Sequence, residues 1–335
     1  MKANVAVSVS LLVVVVVVAS LIPSGAQSAG TPGSQPPAGD SSPINPLKVA
    51  LLKWYPANQT TSFKVGKQPY GMAFDGANIW VANNGENSVT KLRASDGAEL
   101  GTFPVYEAFG LAFDGANIWV TNNNPGGNTI SKLRASDGKY IGNFAVGNLP
   151  YFPAFDGQNI WVPNFQDGTV SKLRASDGAA LGTFSVAAAP IAVACAGEDI
   201  WITSYLAYTN NLTKLRAKDG KLLGSFRVGN DPVGVVFDGE NIWVANQDGT
   251  VTKLRAKDGQ KLGTFKIPGT SSPYGIAFDG ANIWVTAQDG VAELRGSDGA
   301  LLGVFPVPGV VPAWVAFDGA NIWVTVLDKN IVSKL

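Results

Sequence analysis

The sequence predicts an all-β fold: a seven-bladed β-propeller of four-stranded blades, closed three plus one, with the outer strand of the last blade supplied by the N-terminal segment. Three observations carry this. A tryptophan preceded by Ile and followed by Val or Ile recurs at Trp80, Trp119, Trp161, Trp201, Trp243, Trp284 and Trp323, at spacings of 39, 42, 40, 42, 41 and 39 residues. Each copy holds four short strand-like runs separated by turn residues, and no 3.6-residue helical period is visible. Strand four ends in Phe followed two residues later by Val or Ile, at Phe103, Phe144, Phe184, Phe226, Phe265 and Phe305. A seventh such run, "TTSFKV" with Phe63, precedes the first tryptophan, whereas the last copy ends in "NIVSKL", a third strand. Pairing the two closes the ring and hides a sheet edge.

The chain is expected to divide into a signal peptide (1–26), a linker (27–58) and the propeller (59–335). Lys2 is a short positive n-region, Val5 to Ile22 is uncharged and mostly apolar, and Ser24-Gly25-Ala26 offers small residues for cleavage. Were that segment retained, it would anchor the protein in a membrane. "GTPGSQPPAGDSSPINP" has too few apolar residues to pack and reads as a tether. The first blade then reads "YGMAF", "NIWVAN", "SVTKLR" and "ELGTFPV", with Asp-Gly turns between the first and second and between the third and fourth strands. On strand three Lys91 and Arg93, with their copies, are expected on a solvated blade surface with local ion pairs.

A chain running back and forth through four strands places alternate connections on opposite faces of the ring. One face carries the strand one–two turns ("FDGAN") and three–four turns ("ASDG", "AKDG"), whose aspartates repeat blade after blade. Catalysis needs one asymmetric constellation, whereas hairpins need the same turn every time, so these aspartates are assigned to structure. The other face carries irregular two–three loops and interblade links, and selectivity is expected there. Its candidate ligand-binding residues are Tyr70, Asn83, Tyr106, Glu107, Phe109, Asn122, Tyr151, Phe152, Asn164, Tyr205, Asn246, Tyr274 and Trp314. Asparagine also suits strand ends, which is the structural alternative. No catalytic residue and no metal ligand is assigned. Phe152 and Trp314 replace the Gly or Ala of other blades at the start of the innermost strand, and are expected to narrow the mouth. The fourth blade departs most, with "CAGEDIW" in place of "FDGANIW".

The repeat "PYGMAFDGANIWVANNGENSVTKLRASDG" (69–97) and its copies resemble the NHL and YVTN-type propeller repeats of exported bacterial proteins, including relatives of streptogramin (virginiamycin B) lyase. That resemblance implies either a binding scaffold or an enzyme. The lyase family's mechanism uses a histidine and a metal-binding carboxylate, and this chain has no histidine at all. Gluconolactonase-type propellers bind a divalent metal near the axis through carboxylates and amides, which Glu107, Asp231 and the asparagines could imitate. The leading expectation is an exported, non-catalytic propeller that binds a carbohydrate, peptide or protein, without a cofactor and as a monomer. The alternative is a metal-dependent lyase or lactonase-like enzyme. The expected location is secreted, periplasmic or cell-surface. With 25 basic and 25 acidic residues, the chain lacks the positive excess that phosphate neutralisation demands, so nucleic acid is not an expected partner. The single cysteine, Cys195, sits among small apolar residues and is expected to pack rather than react.

Overall fold

A computed structural model describes residues 61–205, 210–268, 272–288 and 290–335. The expected signal segment (1–26) and linker (27–58) lie outside the described residues. These form seven antiparallel four-stranded sheets, with one 3-10 turn (Asn84–Glu86) and no α-helix among the described residues. Blades are numbered 1 to 7 by their tryptophans, Trp80 to Trp323. In blade 7 the N-terminal strand (Thr61–Lys64) pairs outside Ile331–Lys334, matching Thr61 with Lys334 and Phe63 with Val332, so the ring closes three plus one.

Each "FDGANIW" motif is one hydrogen-bonded unit. Asp75 accepts from the backbone of Ala77 (3.0 Å) and Asn78 (2.7 Å), from the Asn78 amide, and from Trp80 Nε1 at 2.7 Å. Gly76, at φ +96°, supplies the left-handed turn residue that a side chain would strain. The aspartate therefore ties the hairpin to the indole that fills the space between blades. Its counterparts hold Trp119, Trp161, Trp243, Trp284 and Trp323 at 2.7–2.8 Å. In blade 4 the aspartate is Ala196, and the fully buried Trp201 Nε1 has no partner.

The strand-three lysines depart from expectation. Lys91 is 7% exposed, and its Nζ lies 5.0 Å from the centroid of its own blade's Trp80. It donates to the carbonyl of Ala135 (2.7 Å) in the three–four turn of the next blade. Lys132, Lys172, Lys214 and Lys253 repeat this on Ala175, Ala217, Ala256 and Gly296, and Lys334 of blade 7 reaches Ala94 of blade 1. An ammonium on an indole face, donating to backbone carbonyls of the next blade, is an interblade clasp rather than a solvated charge. Desolvation lowers the pKa of the Lys132 ammonium from its usual value, with Asp114 and Asp177 opposing the shift. The arginines do match expectation: Arg174 is half-exposed and pairs with Asp177 at 2.8 Å.

A second contact accompanies each clasp. The outer-strand phenylalanine packs on the glycine of the next blade's three–four turn: an added Cβ on Gly138 would lie 2.0 Å from Phe103, and one on Gly178 would lie 1.9 Å from Phe144. These contacts rank two neighbouring substitutions. Lys172→Ala should cost about 2–3 kcal/mol, because it removes a part-buried charged hydrogen bond to Ala217 together with the ammonium's contact on the Trp161 ring. Arg174→Ala, which breaks an exposed pair, should stay within about 0.5 kcal/mol. Urea unfolding of both variants checks this; equal losses would mean that the lysine does not clasp.

Candidate functional site

On the face of the two–three loops the innermost strands converge at the axis. Their approach requires glycine: a Cβ on Gly71 would stand 2.5 Å from the Phe109 carbonyl, and one on Gly275 would stand 2.7 Å from Trp314 Cα. Threonines two residues after the tryptophan lock these strand starts. Thr325 Oγ1 donates to the Tyr70 carbonyl at 2.9 Å, and Thr203 Oγ1 to that of Val233 at 2.6 Å. Thr286 Oγ1 accepts from the backbone N–H of both Tyr274 and Gly275. In blade 3, Pro153 has no N–H for the ladder, and the innermost strand shrinks to Ala154–Phe155. Phe152 instead bridges in parallel to Ala192, donating its N–H to the Ile191 carbonyl at 3.0 Å.

This backbone arrangement brings together seven of the thirteen sequence candidates: Tyr70, Phe109, Tyr151, Phe152, Tyr205, Tyr274 and Trp314. Phe152 and Trp314, from blades 3 and 7, stack with centroids 3.8 Å apart and planes 14° apart. They therefore close on each other, beyond the local narrowing expected of each. Phe109 meets Tyr70 at 4.5 Å, Tyr151 at 5.0 Å and Phe152 at 5.0 Å. The result is an aromatic floor with phenols at its margin. Burial raises the pKa of Tyr70, Tyr151 and Tyr274, and the neighbouring tyrosines add to it for Tyr151 and Tyr274, so these hydroxyls stay protonated and can donate.

Beside this floor lies a cavity of about 280 Å³, lined by Tyr70, Tyr274, Gln247, Ser272, Pro312 and Leu327, with Val311 and Ala313. Gln247 Oε1 is 3.2 Å from Tyr205 Oη, which orients the amide. Two larger clefts, of about 620 and 670 Å³, lie on the opposite face beside the blade 3 one–two turn. Their walls are largely recurring turn residues and the clasp lysine Lys172, joined in the first by Gly197 and Glu198 of the divergent blade 4 turn.

The asparagines lie elsewhere. Asn83, Asn164 and Asn246 are fully buried and Asn122 is 5% exposed. Asn164 accepts from Gly147 N at 3.0 Å and donates to Thr169 and Ser171, and Asn246 repeats this with Gly229 and Thr252. Asn122 donates to the Tyr106 carbonyl at 2.7 Å, while the Tyr106 ring stands outward, 62% exposed. The polar rim is one residue further along. Asn84 and Asn123 donate to carbonyls of the following blade, Ala108 and Pro150, and Gln247 holds the same register four residues after its tryptophan. Gln247, Ser272 and Leu327 were missed by sequence; the signal available for Gln247 and Leu327 was that register, where each blade leaves its second strand, whereas Ser272 lies in the link into blade 6.

Glu107 and Asp231 both occupy left-handed link residues, at φ +50°. Glu107 lies 3.5 Å from Asn84 Nδ2, and Asp231 has one buried carboxylate oxygen with no hydrogen-bond partner. Among the described residues no three Cys, Asp or Glu side chains gather as a metal site would require. Cys195 packs against the cluster around Trp161, and burial, with Asp156 nearby, pushes its thiol up to about 12.

Fold and site together define the class: a seven-bladed β-propeller with an aromatic mouth. No protein-family model matches the chain, and no curated protein matches it. Among solved structures it is similar to the chain described as Kuenenia stuttgartiensis hydrazine synthase, at 17% identity and a TM-score of 0.72, covering 82% of this chain and 97% of that one. It is also similar to U3-55K, at 14% identity and a TM-score of 0.71, covering 83% and 98%. Likeness at this identity establishes the architecture, and one architecture hosts many activities.

Proposed function

We propose that this protein is an exported, non-catalytic binding propeller that takes a carbohydrate residue into the cavity between Tyr70 and Tyr274. The observation that carries the reading is the lining itself. Two phenol rings, an oriented Gln247 amide, the Ser272 hydroxyl and an apolar wall of Pro312 and Leu327 surround a space of about 280 Å³. Small-ligand pockets run from about 300 Å³ upward, so this one suits a single ring or short group rather than an extended chain. A pyranose has the matching chemistry, with C–H faces for aromatic rings and hydroxyls for an amide and phenols. Export rests on the apolar segment Val5 to Ile22 and on the resemblance to NHL and YVTN-type repeats of exported proteins.

Binding of the purified protein to a glycan array, followed by calorimetry on any hit, tests this. Tyr274→Ala and Gln247→Ala should each weaken binding tenfold or more, equivalent to about 1.4 kcal/mol. A glycan bound equally well by both variants would place recognition elsewhere. Binding of peptides in place of glycans would change the ligand class.

A further inference from the structure

Two residues frame the rim of a blade: the one four positions after the tryptophan, and the link residue whose carbonyl accepts its N–H. Blades 1 and 2 pair Asn84 with Gln68 and Asn123 with Glu107 in this way, at 3.1 and 2.9 Å. In blade 5 Gln247 N donates to the Asp231 carbonyl at 3.2 Å, and in blade 7 Leu327 N donates to that of Val311 at 3.0 Å. Both members are polar in blades 1, 2 and 5, and both are aliphatic in blade 7. The blade 7 link is also tethered, because Asp328 Oδ1 accepts from Val310 N at 3.1 Å and from Val311 N at 3.2 Å. Val311 nevertheless remains 42% exposed, so its side chain is held in place and open to a ligand.

The cavity beside the aromatic floor spans this change of polarity. Gln247 of blade 5 lines one part of it, and Val311, Pro312 and Leu327 of blade 7 line another. Tyr205 Oη donates to Gln247 Oε1 at 3.2 Å, which leaves the Nε2 hydrogens as the amide's donors to a ligand. Among the described residues the Tyr70 and Tyr274 hydroxyls have no hydrogen-bond partner, and both rings line the same space. No lining residue is charged, so an ammonium or carboxylate substituent would lose water there without gaining a counter-charge. A plain hexose has C–H faces for the phenol rings but only hydroxyls to set against the aliphatic wall. An acetamido group carries a carbonyl, an N–H and a methyl within a few atoms, and so matches both parts of the lining.

We propose, resting on the reading of this cavity as a carbohydrate site, that the residue it takes is an N-acetylhexosamine. The acetamido carbonyl accepts from Gln247 Nε2, its N–H donates to a phenol oxygen of Tyr70 or Tyr274, and its methyl group lies on Val311, Pro312 and Leu327. Burial of the methyl alone favours the acetamido sugar about fourfold over its parent hexose. The paired amide raises the preference to about tenfold or more.

Ligand-observed NMR titration of the full chain tests it, with N-acetylglucosamine and N-acetylgalactosamine each beside its parent hexose, and with glucosamine and 6-deoxyglucose. At least one acetamido sugar should bind about tenfold or more tighter than its parent, and tighter than the other two probes. Leu327→Asn, and the near-isosteric Val311→Thr, should each cut that advantage to about threefold or less while leaving hexose binding within about twofold. The unchanged hexose affinity shows that each variant is folded. Equal binding of acetamido sugar and parent, tighter binding of 6-deoxyglucose or glucosamine, or an advantage that survives both substitutions would overturn the inference and leave the carbohydrate reading standing. Failure of every sugar to bind would overturn both.

Discussion

Removing residues 1–66 is expected to abolish the cooperative melting transition or lower Tm by more than 10 °C. The deleted stretch supplies the whole outer strand of blade 7, whose four residues pair with Ile331–Lys334. It also supplies Phe63, which stacks on Trp323 at 5.5 Å and packs on Gly97 of blade 1. Val65 N adds a bond to the Asn330 carbonyl at 3.1 Å. Truncating a core phenylalanine alone costs about 3–5 kcal/mol, and whole domains are stable by about 5–15 kcal/mol. Losing the strand as well exposes a sheet edge and frees blade 7 from blade 1, so the loss approaches the total. Differential scanning calorimetry of the truncated chain beside full-length protein checks this. Deletion of residues 1–51 is the control, because it leaves both the strand and the segment before it. A 1–66 deletion that melted within about 2 °C of the full chain would show that the ring closes by other means.

What could be read from the sequence was whatever repeats along one strand or turn. The blade count came from the tryptophan spacing, the closure from Phe63 lying ahead of Trp80, and the assignment of faces from the direction of the strands. Contacts made between blades were not legible. Lys91 looks like any charged residue alternating on a strand, and only the stacked blades place its ammonium on Trp80 and against Ala135. The asparagines show the same limit in reverse. Their regular position after each tryptophan suggested a rim, yet regularity is the mark of structure, and Asn164 and Asn246 bond to their own blade and to the link entering it. Residues without a counterpart proved more telling: Phe152 and Trp314 meet at the axis.

Replacing Asp156 with alanine should destabilise the protein by about 3 kcal/mol at neutral pH, with the penalty shrinking in acid. The carboxylate accepts from Trp161 Nε1 at 2.7 Å, Asn159 N at 2.7 Å, Gln158 N at 2.9 Å and the Asn159 amide, so alanine leaves a buried indole N–H without a partner. Blade 4 carries that substitution already at Ala196, and there the surroundings are rearranged to suit. Its turn glycine, Gly197, sits at φ +62° where Gly157 of blade 3 is at +96°, and Asp199 pairs with the clasp lysine, Lys214, at 2.8 Å. Blade 3 has no such second carboxylate, because Asn159 stands at the position of Asp199. The pH dependence follows from the direction of the shift. Burial alone would raise the pKa of Asp156, but the donors from Trp161, Gln158 and Asn159 outweigh it and hold the group below its ordinary value. A depressed folded pKa means that the ionised form favours the fold. That contribution is complete above the unfolded pKa, about 4, and is lost as pH falls through the lower folded value. Asp75, Asp238 and Asp318 are depressed by the same donors against the same burial, so the wild type should lose stability steeply below about pH 4. Urea unfolding of wild type and Asp156→Ala at pH 7 and pH 3 separates charge from shape. The variant's deficit should be smaller at pH 3. A deficit that stayed constant would assign the loss to the cavity, and Asp156→Asn matching wild type at pH 7 would remove the carboxylate from the account altogether.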